Sequence, residues 1–283
     1  MNAMAAHPAA RGVYLYCLAR FAGVQAFGGT GGDSLAGVDE RFPVTVLEAA
    51  GIAAVIGDID PREFTDENLQ ALSWLAPRAM RHEAVIERVM AASAVLPVKF
   101  GTIFVNRDSL TEFLIRHRQR IESVLDDLTD RQEWSVKGYV NQPKARELML
   151  GRDPEIGARL AALSPAPGLR YLQQKGLEPY IERALSGWVR RGTDAMLGAL
   201  LEHAAGSAAL RCHPNSVTGR LDRMVFNCSF LLDPGALEGF RAAFDDQAGC
   251  CTGTGLTFEL KGPWPPYNFC PALADGAPRD DAA

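Results

Sequence analysis

Apolar side chains recur at the helical period across residues 66–92 and again across 108–128, and both runs are bracketed by short β-branched or aromatic stretches. Leu69, Leu72, Leu75/Ala76, Ala79, Val85/Ile86 and Val89 make the first stripe; Leu110, Phe113/Leu114, His117, Ile121, Val124/Leu125 and Leu128 make the second. A helix with one apolar stripe has to bury it, and strands on either side supply the surface. "GVYLYCLA" (12–19) reads as a strand, and 44–49 and 52–57 read as two short strands turning at Gly51. "VLPVKFGTIF" (95–104) reads as a buried strand running into a turn at Gly101, and the alternating "EWSVKGYV" (133–140) as a further strand. The order β-β-β-α-β-α-β predicts an α+β sandwich of ferredoxin-like character. Pro77 falls inside the first helical run, which predicts a kink or break there.

The second half is helical from Lys144 to about His203, interrupted by "LSPAPG" (163–168). Strands follow at 207–213 and 223–232, then a helix from Pro234 to Asp246 with Asp233 as its N-cap, then a strand at 255–261. The expected organisation is a disordered N-terminus (1–11), a ferredoxin-like domain (12–142), an α+β domain with long helices and a small sheet (143–273), and a flexible acidic tail (274–283). "FGGTGGDS" (27–34) reads as a flexible loop, and no internal repeat is visible.

Composition narrows the function classes. At 47% hydrophobic residues the chain can bury a real core, and its net charge of −5 with no Lys/Arg block argues against nucleic acid or an anionic membrane surface. No window approaches the ~18 apolar residues of a membrane span, and the N-terminus lacks a signal-peptide core, so a cytoplasmic protein is expected. The six cysteines form no C-x-x-C pair and read as mostly buried, reduced thiols. Neither "GGTGGDS" nor "GCCTGTGLTFEL" opens a helix, so neither fits a phosphate loop. Asp126-Asp127 and Asp245-Asp246 sit at expected helix ends, where solvation explains them. No catalytic residue, metal ligand or cofactor site is assigned. A small-ligand or enzymatic reading would have to rest on His82, Glu83 and Lys99 converging in one pocket.

Two stretches stay unusual. In "VLPVKFGTIF" the lone cation Lys99 interrupts an apolar run, so it must face an edge, a partner or an acidic side chain. In "KGPWPPYNF" (261–269), Pro263 is expected to end the preceding strand, and Pro265-Pro266 to hold the chain extended. Trp264, Tyr267 and Phe269 would then lie on a surface, either as a strap sealing the core or as a ledge for a partner.

These stretches, in their order, also carry a resemblance. The Tyr14-Leu15-Tyr16 strand, "LAPRAMRHEAVIERV" (75–89), "VLPVKFGTIF" (95–104), "EWSVKGYV" (133–140), "PGLRYLQQK" (167–175) and the closing "GPWPPYNF" (262–269) are similar to the GvpL/GvpF family of gas vesicle proteins over nearly the whole chain, in an F-like form. The acidic tail, the glycines at 28–32 and the vicinal Cys250-Cys251 depart from the family pattern. The resemblance implies two α+β domains and a non-catalytic accessory or minor structural protein of gas vesicles. It implies binding to the hydrophobic shell protein GvpA during assembly, in the cytoplasm and at the vesicle, or scaffolding of other vesicle accessory proteins. The candidate contacts are the N-terminal domain's edge strand with Lys99, Trp264, Tyr267 and Phe269.

Overall fold

The structure, a computed structural model, describes residues 11–24 and 36–271. The expected loop at 27–34, the acidic tail at 274–283 and all but Arg11 of the expected N-terminal segment lie outside the described residues. The chain folds as two compact units: one runs to Gln132 and resumes at Pro265, and the other is Glu133–Trp264.

The first unit contains β1 (Gly12–Arg20), α1 (Phe21–Val24), β2 (Val44–Ala49), β3 (Ile52–Ile59), α2 (Asp66–Gln70), α3 (Leu72–Met90), β4 (Val95–Pro97), β5 (Ile103–Phe104) and α4 (Arg107–Asp127). Its sheet runs β2-β3-β1-β4, with β5 also on β1. That order, a hairpin whose second strand lies beside the first strand and a last strand on the far side, is the split βαβ arrangement of a ferredoxin-like sheet. Tyr14, Tyr16, Ala19, Val55 and Ile59 form a core with Val85, Ile86 and Val89 of α3. The alternate β1 residues Val13, Leu15 and Leu18 are equally buried, and α4, which contacts β1 to β5, brings Leu110, Leu114, Ile121 and Leu125. β1 is therefore covered on both faces, which is why its sequence reads as a continuous apolar run.

Local chemistry sets the helix ends. Thr65 caps α2, and Asn106 and Ser109 form a reciprocal capping box on α4. Asn106→Ala should cost about 1 kcal/mol in a urea titration, with an unchanged m-value. The break expected at Pro77 lies instead at Ala71, whose extended backbone (φ −80°, ψ 105°) separates α2 from α3. Ala71 closes the first turn through its N–H and opens α3 through its carbonyl, while Pro77 stays inside α3 and forgoes a single helical hydrogen bond. "VLPVKFGTIF" is likewise two short strands, β4 and β5, joined by a turn in which Thr102 N–H donates to Lys99 C=O and Gly101 takes φ +85°.

The second unit contains β6 (Gln132–Val140), α5 (Gln142–Arg152), α6 (Pro154–Ala161), α7 (Pro167–Leu201), β7 (Gly206–Ala209), α8 (Asn215–Thr218), β8 (Arg223–Leu232), α9 (Leu237–Cys250) and β9 (Leu256–Trp264). Its sheet runs β7-β8-β6-β9. This repeats the strand order of the first sheet, with β6 in the place of β1. β6, grouped with the first half on sequence, is thus the central founding strand of the second unit. Trp134 and Val136 of β6 and Phe226, Cys228, Phe230 and Leu232 of β8 lie at the strand period and bury against Met196 and Leu200 of α7 and Phe240 and Phe244 of α9. A second cluster joins Ile181, Leu185 and Val189 of α7 to Met149 of α5 and Ile156 of α6.

Three further expectations are corrected, two in this unit and one in the segment that returns to the first unit. α9 begins at Leu237 rather than Pro234: Ala236 N–H donates to Asp233 C=O and Gly235 takes φ +82°, so Asp233-Pro234-Gly235-Ala236 is a turn that precedes the helix. Pro263 does not end β9, which continues to Trp264; β9 is an edge strand and its register slips between Glu133 and Ser135, so the missing N–H disrupts no ladder. Pro265-Pro266 is not an extended pair, because Pro266 (φ −80°, ψ 52°) sits in a tight turn with Tyr267 N–H donating to Pro265 C=O at 2.8 Å. Of the six cysteines, only Cys17 and Cys228 are buried; Cys212 and Cys250 are exposed because they lie in a surface loop and at a helix end.

Candidate functional site

The most elaborated polar group in the first unit forms where β1, α3 and the returning C-terminal segment meet. Tyr14 and Tyr16 of β1 are fully buried and sit with His82 of α3 in an aromatic cluster that includes Phe64 and Phe100. Ring centroids lie 4.9 Å apart for Tyr14–Tyr16 and 5.6 Å for Tyr14–His82. The hydrogen bonds through this cluster are consistent with one tautomer. Gly101 N–H donates to Tyr14 Oη at 3.1 Å, and the Tyr14 hydroxyl donates to His82 Nδ1 at 2.9 Å. His82 then carries its proton on Nε2, which faces Val98 C=O at 3.2 Å and Tyr267 Oη at 3.2 Å. The Tyr267 hydroxyl donates to Glu83 Oε2 at 3.1 Å. One chain of bonds thus ties β1, α3, the turn after β4 and the C-terminal segment together.

Electrostatics follow from burial. Desolvation pushes the His82 imidazole down to about 4, so it is neutral at pH 7. Burial raises the Glu83 carboxyl, and the Tyr267 hydroxyl bond partly opposes that rise. Burial pushes Tyr16 up to about 12 and raises Tyr14 and Tyr267 well above the ordinary phenol range. His82 is 3% exposed and both its ring nitrogens are engaged. The arrangement braces the fold; as it stands, it offers no open nitrogen to an incoming molecule.

The sequence candidates separate accordingly. His82 and Glu83 come together with Tyr267, whereas Lys99 is exposed in the turn between β4 and β5. Trp264 closes β9, is 38% exposed, and donates its Nε1–H to Ser135 Oγ at 3.1 Å. Pro265 and Pro266 are buried, Phe269 is half-buried, and Tyr267 packs on the first unit's core. Sequence reasoning missed Tyr14 as the partner of His82 and Tyr267 as its second neighbour, separations of 68 and 185 residues that no local pattern signals. It also missed Gly262: at φ +151°, an added Cβ would stand 2.9 Å from the Trp134 ring and 3.0 Å from Glu133 C=O. In the second unit a cleft of about 490 Å³ is lined by Val140, Asn141, Asn215, Leu221, Asp222 and Arg223 among others. Among the described residues no group of three or more His, Cys, Asp or Glu side chains could hold a metal ion, and no helix is long and apolar enough to cross a membrane.

Fold and site together define a class: a two-unit α+β protein in which both sheets share one strand order and the first unit is completed by the chain's own C-terminal segment. Comparison with known proteins places it further. The family model for gas vesicle synthesis protein GvpL/GvpF matches residues 12–271, and the chain belongs to that family. Gas vesicle protein F of Streptomyces sp. (strain CB03234) is 27% identical over 82% of this chain and 89% of its own length. Gas vesicle protein L of the same strain is 27% identical over 90% of this chain and 91% of its own, so identity does not separate the F form from the L form. The crystal structure of GvpF from Anabaena sp. PCC7120 superposes with a TM-score of 0.68 at 17% identity, covering 92% of this chain and 98% of that one, and so shares the fold. The protein's role accordingly lies with gas vesicles.

Proposed function

We propose that this chain is a non-catalytic accessory or minor structural protein that binds the shell protein GvpA in the cytoplasm and supports vesicle assembly. The observation that carries the reading is the edge of the first sheet: among the described residues β2 pairs with β3 alone. Val44 and Val46 on that strand pack on the unit's core and, like Leu47, keep part of their surface accessible. A shell subunit has to bury apolar surface in polymer and aggregates before it does so; an open edge with apolar neighbours can cover that surface until assembly. The engaged, buried His82 supports a binding role over a catalytic one. Trp264 and Phe269, both accessible in part, and Lys99 are the proposed additional contacts.

Affinity capture of GvpA tests the residues. Thr45→Lys places a charge on the β2 edge where the Thr45 hydroxyl oxygen is buried, so the variant should melt below the parent; at a temperature where circular dichroism shows both folded, it should capture at least about tenfold less GvpA, a loss of about 1.4 kcal/mol. Trp264→Ala should cause a smaller loss. Undiminished capture by the folded Thr45→Lys variant would remove the edge from the account.

A further inference from the structure

We propose that two copies of this chain pair through the free edge of β7, joining two second-unit sheets into one continuous sheet about a two-fold axis. The proposal concerns the second unit and does not depend on how GvpA is bound.

Among the described residues the four sheet edges are not alike. β9 carries Glu259, Lys261 and Pro263, β4 ends in Pro97, and β2 carries Glu48. Charges and prolines on an edge discourage pairing with another strand, and β2, whose single charge sits next to its end, is the edge that the proposed function gives to GvpA. β7 is Gly-Ser-Ala-Ala, and the stretch 204–210, "AAGSAAL", has neither charge nor proline. β7 pairs with β8 alone among the described strands, and Ser207 and Ala209 are exposed.

The register determines which backbone groups are free. Ala208 pairs with Ser229, and two residues on Leu210 N–H donates to Asn227 C=O at 2.8 Å. Alternation along an antiparallel strand then turns Ala208 toward β8 and turns the N–H and C=O of Ser207 and Ala209 outward. Centred on Ala208, a two-fold axis sets Ser207 opposite Ala209 of the second copy and Ala209 opposite its Ser207. Each such pair exchanges two backbone hydrogen bonds. The side chains at the junction are small, so the edges can approach, and no like charges face each other across it. A neutral, self-complementary edge offers a charged partner nothing to recognise, which favours the second copy as occupant.

Sedimentation of the full chain over a concentration series tests this. The average mass should rise toward twice that of the monomer. Ser207→Pro and Ala209→Pro each delete an outward N–H and leave the bonds to β8 in place, so both variants should fold as the parent does by circular dichroism. Each removes two of the four bonds in the dimer, and the dissociation constant should rise by about tenfold or more. A chain that stays monomeric at every accessible concentration overturns the proposal, as does a dimer equally tight in both proline variants. Should those variants misfold, Ala208→Cys in the otherwise intact chain decides: under oxidised glutathione, peptide mapping should find position 208 linked to its own copy, and absence of that linkage overturns the pairing.

Discussion

Tyr267→Ala should lower the stability of the first unit by about 3–5 kcal/mol, the range for truncating a large ring that packs on a core. The ring sits against the core formed by β1, β3 and α3, and its hydroxyl serves both His82 and Glu83. Tyr267→Phe separates the two contributions. It keeps the ring and removes the donor to the half-buried Glu83 carboxylate, at a cost of about 1–3 kcal/mol. Urea titration followed by tryptophan fluorescence reads both, since Trp74 lies in α3 of the same unit. A Tyr267→Ala protein as stable as the parent would mean that the C-terminal segment merely rests on the first unit, and the strap would then be free to act as a ledge for a partner.

The second large effect is on acid stability. His82 is held at about 4 in the folded chain against an ordinary value of 6.5. Between those limits the unfolded chain binds a proton that the folded chain refuses. The stabilisation is fully present above pH 6.5 and is lost as pH falls through that window toward 4. The slope approaches 1.4 kcal/mol per pH unit and sums to about 3 kcal/mol. Glu83 acts in the opposite sense, because its carboxyl is raised by burial and the folded state prefers it protonated. Other carboxylates contribute to acid unfolding as well, so the informative quantity is a difference. His82→Gln should be less stable than the parent at pH 7, and the gap should narrow as pH falls to 4. A gap that stays constant over that range would show that His82 titrates normally in the folded state.

Much of the fold was legible because periodicity is local. β1, β2, β3, α4 and β8 lie close to where their apolar patterns put them, and the long helices of the second unit follow theirs. What escaped was the partition of strands between sheets. β6 follows α4 in sequence and reads like a last strand, yet it pairs with β9, more than a hundred residues on, through contacts such as Val136 with Leu260. The repeated strand order of the two sheets was invisible for the same reason. β1 and β6 share a place in topology, but what joins each to its hairpin differs: α1 and the segment beyond it in one unit, α5, α6 and the 35-residue α7 in the other. Two of the prolines sit within elements that continue through them. Pro77 reads as a kink or break and Pro263 as a strand end, and each occupies a position where one missing N–H is tolerated, inside a packed helix and on a sheet edge. The site was half legible. His82, Glu83 and Tyr267 each stood out, but their convergence with Tyr14 depends on long-range packing that no spacing encodes.

Co-expression with the cognate GvpA, followed by affinity capture and light scattering, tests the central claim most directly. Binding of GvpA at the β2 edge should give a complex that stays in solution, with less GvpA aggregate than when the shell protein is made alone, and loss of that protection with Thr45→Lys. Unchanged aggregation and no captured GvpA would contradict it and would shift the role toward a scaffold for other gas vesicle accessory proteins.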